Sequence, residues 1–549
     1  MKISRAAAGL AALALVATGC GSGGGGGDND SGGKTGNGAV LRMSLSEDVK
    51  TLLPMDSNVA DNIAVDDVVY DGLVRYDPKT TKPHNYVAQS ITTKDNVHWT
   101  IKIKPGLKFQ NGEPVDADAF ARAWNYAAYG PNAMENNYFF ERFVGYDAMQ
   151  GETDDDGNVT VQPKAKTLSG LKVVDPQTLD ITLTGPFAGF STMLGYTGFF
   201  PIAKACLADI KACAVKPIGN GPFQVTEWNQ GESMTLKRWS GYTLDEVPNY
   251  SEIDYTEVPG GDDWADFQSG DIDASTPPPE QWEAANNDPD LSTRKVEAPT
   301  AALTYIGFPA YLGKPFNDIN FRKAISMAID RQKVIDAILP GQATPADSWV
   351  SPTVPGGTKG TCGDACTFNP TEAKKLLAKA GGWPAGKTLY IHLGQDDVQE
   401  QYFKAIGDQL KLNLGISYKL DPDPDFFDNR SDRTWKGAGI MRSNWFPDYP
   451  LNENYLTPIY GSDDPKHGDD SYGYYDQKFM DAIHKADTAP DLDTAIKGYQ
   501  DAEKVLASDF PTAPLSFSES VVFYSDRLSN VVLDPFSGAI KLRLLSVSD

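Results

Sequence analysis

The chain has 549 residues, with 74 acidic against 49 basic side chains and a net charge of −25 at neutral pH. So acidic a surface repels phosphate backbones and excludes nucleic acid as a partner. Hydrophobic residues make up 40% and aromatics 11%, enough for globular cores, and the length calls for two or three domains rather than one.

The first segment in the chain is not fold. Lys2 and Arg5 flank the start of an apolar run, Ala6 to Val16, too short to span a bilayer. Ala17, Thr18 and Gly19 then lead to Cys20. This order predicts a secretion signal over residues 1–19. The cysteine behind small residues resembles the lipobox of bacterial lipoproteins, with Ala17 where leucine is usual, so Cys20 is the expected lipidation site. Residues 21–38, GSGGGGGDNDSGGKTGNG, hold no large apolar side chain and cannot build a core. Residues 20–38 therefore read as a lipidated cysteine and a tether, with a coil reach of roughly 20–25 Å. No later run approaches the apolar length of a transmembrane helix.

From Ala39 onward short strands and helices mix. Residues 97–109 alternate Trp99, Ile101 and Ile103 before Pro105-Gly106, which predicts a hairpin turning there. Asp116 to Tyr126 reads as a helix and 178–184 as a strand. Residues 217–237 hold FQVTEW and MTLKRW, a second hairpin. Phe321, Ala324, Ile325, Ala328 and Ile329 fall at helical spacing, and a further helix runs from Arg331 to Leu339. Asn369-Pro370-Thr371-Glu372 opens another helix, with Asn369 suited to the N-cap and Gly381-Gly382 to its end. A strand at 388–394, a helix at 398–413 and a strand at 415–420 follow. The pattern is α/β alternation.

Cys206, Cys213, Cys362 and Cys366 remain after Cys20. In an exported chain their spacing favours two local disulfides, Cys206–Cys213 and Cys362–Cys366. A zinc site is the competing reading, but it needs both pairs to converge and the chain has only five histidines. Gly381 to Thr388 satisfies the P-loop pattern, yet a helix precedes it and a strand follows, the reverse of what phosphate cradling needs. Glu152 to Gly157 lacks the glutamate of a calcium loop. Asp421, Asp423, Asp425 and Asp428 read as an extended acidic loop, because Pro422 and Pro424 intervene. No serine elbow or zinc-protease motif occurs. No metal, cofactor or catalytic role is expected.

Four segments carry a resemblance. They are Asp71 to Asp77 (DGLVRYD), Pro105 to Val115 (PGLKFQNGEPV), Gly219 to Phe223 with Glu227-Trp228 (GNGPF…EW), and Pro315 to Arg331 (PFNDINFRKAISMAIDR). In this order they resemble the extracytoplasmic solute-binding proteins of ABC importers, the oligopeptide/dipeptide-binding family (family 5), over nearly the whole mature chain. The resemblance implies an α/β fold of two lobes closing like a clam, the periplasmic-binding-protein type II fold, with an extra inserted domain. Lobe I would combine residues 39–75, 168–300 and 510–549. The extra domain would be 76–167 and lobe II 301–509.

It also implies the function: a membrane-tethered, extracytoplasmic receptor, acting as a monomer, that binds short peptides and hands them to a permease driven by ATPase subunits. The ligand-reading segment would be Arg442 to Pro450, RSNWFPDYP. There Asp448 would pair with the peptide's α-ammonium and Trp445 would form a pocket wall. The backbone of Asn444 to Phe446 would pair with an extended peptide, and Arg442 would meet a ligand carboxylate. Asn444 and Phe446-Pro447 depart from the smaller residues of some relatives. One ligand-contacting strand is expected within Leu45 to Asn62, with no residue assigned. The rivals are a same-fold receptor for a nickel chelate, haem or oligosaccharide, and an anchored hydrolase or structural surface protein.

Overall fold

The computed structural model describes residues 38–47, 49–153, 159–245, 247–258, 263–469 and 471–548. The signal, Cys20, nearly all of the tether and Asp154 to Gly157 of the acidic turn lie outside them.

Three larger sheets organise the described residues. The first runs Val40–Leu45, Glu252–Glu257, Ser233–Arg238, Phe223–Asn229, with its first pair parallel and the others antiparallel. The second is antiparallel and runs Ala88–Thr93, His98–Ile103, Thr178–Thr182, Leu171–Asp175. Trp99, Ile101 and Ile103 alternate inward on it and join one apolar cluster with Phe120 and Trp124 of the helix Ala117–Ala128. The third runs Ala274–Ser275, Thr512–Tyr524, Lys295–Gly307, Gly439–Trp445, Leu389–Leu393, Tyr418–Pro422.

Two expectations change. The hairpin of His98–Ile103 forms with the strand before it, Ala88–Thr93, and turns at residues 94–97. Pro105-Gly106 instead leads into a loop closed by Phe109 N donating to Glu113 O. A run of alternating residues shows a strand but not which neighbour it pairs with. The acidic stretch is not one extended loop either. Asp421 lies in the strand Tyr418–Pro422, where its carboxylate is 2.9 Å from His392 Nδ1, and Asp428 lies in the helix Phe426–Asp432. Pro422 is accommodated at the strand's end, where no further ladder bond is needed.

The other helices and strands form near their predicted positions. Asn369 Oδ1 accepts from Glu372 N and starts the helix Pro370–Lys379. The aspartates Asp116, Asp209, Asp318, Asp330, Asp396, Asp476 and Asp491 cap helices in the same way, so part of the acid excess answers helix dipoles. The disulfides Cys206–Cys213 and Cys362–Cys366 are closed. The P-loop-like stretch is a surface connection between a helix and the strand Leu389–Leu393.

Three of the four segments that carry the resemblance meet in space. Gly219 and Gly221 sit against the backbone of Val68 to Tyr70, where any Cβ would collide. Asn220 between them exchanges hydrogen bonds with Asp71, its Oδ1 accepting from Asp71 N and its Nδ2 donating to Asp71 O, both at 3.0 Å. Gln110 docks on the same turn, its Nε2 donating to Phe223 O at 2.7 Å and its Oε1 accepting from Gly219 N at 3.0 Å. The Asp71 carboxylate, fully buried, meets Arg75 at 3.0 Å and Arg543 at 2.9 Å. Arg331, also buried, donates to Pro514 O and Ser326 O and so ties its helix to the strand Thr512–Tyr524. These residues hold the scaffold together.

Lys295–Gly307 and Thr512–Tyr524, 13 residues each, pair antiparallel as one long ribbon. Val521 and Phe523 at one end pack with Trp264 and Phe267. Leu303, Tyr305, Ala513 and Leu515 at the other belong to the cluster beneath Gly439–Trp445. Between the ends the register breaks, from Pro299 opposite Glu519 to Leu303 opposite Phe517.

Candidate ligand-binding site

The strand Gly439–Trp445 pairs with Lys295–Gly307 along one edge, from Met441 opposite Gly307 to Trp445 opposite Leu303. Along its other edge Leu389–Leu393 pairs only as far as Met441. Residues 442–445 therefore have one edge on which no strand of the described residues lies. Such an edge accepts an extended peptide through main-chain hydrogen bonds.

The strand's alternation sets the side chains. Ser443 is buried and accepts from the Tyr472 hydroxyl at 2.8 Å. Asn444 is exposed, Arg442 and Trp445 are half-buried, and Phe446 is 44% exposed. Phe446 packs on Phe536 at 5.6 Å, and Phe536 on Tyr76 at 6.3 Å, so an aromatic row runs from the strand's end to the first part of the chain. The Trp445 Nε1 is buried with no hydrogen-bond partner among the described residues, and so is the Arg442 Nε. Burial lowers the Arg442 pKa, opposed chiefly by Asp396.

The strand ends at Trp445, and past Phe446-Pro447 the chain turns to present Asp448. Its N–H donates to Asn454 Oδ1 at 2.8 Å. Burial pushes its carboxyl up to about 7, against hydrogen bonds from Asn454 and Tyr138, and the Glu453 charge adds to the rise. Tyr138, Tyr196 and Tyr76 all feel its charge, which raises their pKa values further beyond what burial does. Among the described residues no lysine or arginine forms an ion pair with it. The site thus holds a carboxyl among tyrosines with no cation to match it.

Arg442, Asn444, Trp445, Phe446 and Asp448 stand along one strand and its following turn. The tyrosines come from three distant segments and are absent from the sequence expectation. Only Tyr76 carried a signal, as part of the DGLVRYD stretch. Within Leu45 to Asn62 the described structure has the last residue of the strand Val40–Leu45 and the start of the helix Ala60–Val69.

Residues 82–467 match the family model described as bacterial extracellular solute-binding proteins, family 5 Middle. The chain belongs to this family. The oligopeptide-binding protein OppA of Bacillus subtilis (strain 168) is 25% identical over 498 residues, covering 86% of each chain. Among solved structures, clavulanic acid biosynthesis oligopeptide binding protein 2 superposes with a TM-score of 0.79 at 18% identity, covering 94% of this chain and 96% of that one. The murein tripeptide binding protein MppA of Escherichia coli gives 0.72 at 20% identity, covering 93% and 98%. The two-lobe type II α/β fold expected from the resemblance is borne out. As a family 5 protein the chain is an extracytoplasmic solute-binding component of an ABC importer. No helix of the described residues is long and apolar enough to cross a membrane.

Proposed function

We propose that this family 5 protein is the receptor of a peptide importer. It binds short peptides with a free N-terminus between two lobes and delivers them to an ABC permease without altering them. The lipid on Cys20 holds it at the outer face of the membrane. Lobe I comprises residues 39–75, 168–300 and 510–549, the inserted domain 76–167, and lobe II 301–509. The ribbon of Lys295–Gly307 and Thr512–Tyr524 passes between the lobes, and its register break provides the place for hinging.

The observation that carries this reading is Asp448. A half-buried carboxyl lacking a cation is the complement of a desolvated ammonium, and charge-assisted hydrogen bonds of this kind are the strong ones. The open edge at 442–445 supports the peptide backbone, and the unpartnered Arg442 Nε supports a carboxylate contact. OppA, an oligopeptide-binding protein, and MppA, a murein tripeptide binding protein, agree with the ligand class. Mass spectrometry of the ligand released by mild denaturation should find peptides of a few residues with free N-termini. A sugar or metal chelate recovered in their place would overturn the assignment.

Proton linkage gives a second test. Free Asp448 takes up a proton near pH 7, whereas an ammonium needs the carboxylate. Binding below that pH must expel the proton, so affinity should rise roughly ten-fold per pH unit up to about 7 and then level. Above the α-amino pKa, about 7.7–8.0 in free peptides, it should fall again. Calorimetry of tetraalanine at about pH 6, in two buffers of different protonation enthalpy, should report close to one proton released per peptide. No release would remove Asp448 from the ammonium contact.

A further inference from the structure

A second set of contacts joins the segments assigned to the inserted domain and lobe I with those assigned to lobe II, away from the ligand-reading strand. Asn96 stands at the tip of the turn between Ala88–Thr93 and His98–Ile103, with φ of 58°. Its buried side chain donates to the carbonyls of Asp487 at 3.1 Å and Ala489 at 2.6 Å, at the C-terminal end of the helix Gln477–Asp487. Its own carbonyl accepts from Phe187 N.

The Arg142 guanidinium lies over the Phe187 ring at 4.2 Å, and its Nη2 donates to Glu453 Oε1 at 3.3 Å. Glu453 is buried, and its other oxygen accepts at 2.6 Å from the hydroxyl of Tyr449, the neighbour of Asp448. Gly189 leaves room for this approach, since a Cβ there would stand 2.7 Å from both Leu451 Cδ2 and the Phe187 ring.

The polar contacts across this set are few: Asn96 to the carbonyls of Asp487 and Ala489, and Arg142 to Glu453. An interface made of such contacts suits parts that separate and rejoin. It also ends on the segment that carries Asp448, through Glu453 and Tyr449. We propose that Arg142, with Asn96 and Gly189, forms a clasp that holds the cleft closed, so that Arg142 is a positioning residue for ligand binding without touching the ligand. This rests on the two-lobe receptor reading. A receptor whose binding-competent form is only a fraction of the population shows its affinity reduced by that fraction. Opening the clasp therefore weakens binding by the factor by which the closed fraction falls.

The test is the distance distribution between spin labels at Lys172→Cys and Lys497→Cys, measured first without peptide. Both positions are exposed. Arg142→Met should move the population to longer distances than the otherwise native protein shows, and Arg142→Lys should restore part of the short-distance population. Gly189→Ala, which removes no charge, should lengthen the distances as Arg142→Met does. The Kd for tetraalanine should then rise in each variant by the ratio of closed fractions. Lowered stability of Arg142→Met with unchanged distances would show a merely structural residue and overturn the clasp. Because the distances need no ligand, failure of tetraalanine to bind any form would count against the peptide assignment alone.

Discussion

Asp448→Asn is expected to weaken tetraalanine binding by roughly ten- to hundred-fold, the worth of a charge-assisted hydrogen bond of about 1.5–3 kcal/mol. Asparagine keeps the shape and can still bond Asn454 and Tyr138, so the loss isolates the charge. The ligand-free protein should respond in the opposite sense. Asp448 has a folded pKa of about 7. The unfolded value is about 3.9. The fold thus prefers the neutral carboxyl. Its contribution is fully present below about pH 4 and is lost as pH rises through about 7. Asparagine cannot ionise, so the variant's stability advantage over the native protein should grow from about pH 4 to about pH 7 and level off above that. Denaturant unfolding at about pH 4 and about pH 8 reads the difference. The same substitution would then weaken binding and strengthen the empty receptor, the signature of a site whose strain is relieved by its ligand.

Asp71→Ala carries the largest expected effect on the fold. It leaves Arg75 and Arg543 facing each other in the interior without the carboxylate that joins them. Burial opposes the charge on Arg543, and Asp71 with Asp67 overcomes it. Breaking a buried pair by deleting one partner costs about 3–5 kcal/mol. Unfolding midpoints in urea should fall accordingly, and peptide affinity of the remaining folded protein should change little. A midpoint within the scatter of the native protein would mean that Asp67 alone holds the two guanidiniums.

That contrast explains how much of the molecule is legible in its sequence. The segments that identify the family are scaffold: Gly219 and Gly221 permit a backbone approach, Asn220 and Gln110 bridge it, Asp71 and Arg75 neutralise the interior, and Arg331 pins a helix to the long ribbon. Such needs are local in chemistry and fixed in spacing, so they show in one dimension. The helices from Ile319 to Leu414 are legible for the same reason, since their caps and apolar stripes lie within the helix itself.

The site is legible only on one side. Arg442 to Asp448 forms a single strand and turn. Tyr138 and Tyr196 reach Asp448 from segments that say nothing about it, because closure of the chain brings them there. The pairing of His98–Ile103 with the preceding strand is hidden in a similar way. The clasp is hidden too: Asn96, Arg142 and Glu453 are ordinary polar residues until the fold sets them against each other.

The most direct measurement of the central claim compares tetraalanine with N-acetyl-tetraalanine on the native protein at about pH 7. The two differ only in the ammonium. The free peptide should bind at least ten-fold more tightly, and the difference should vanish in Asp448→Asn. Equal affinity of the native protein for the two peptides would contradict the account.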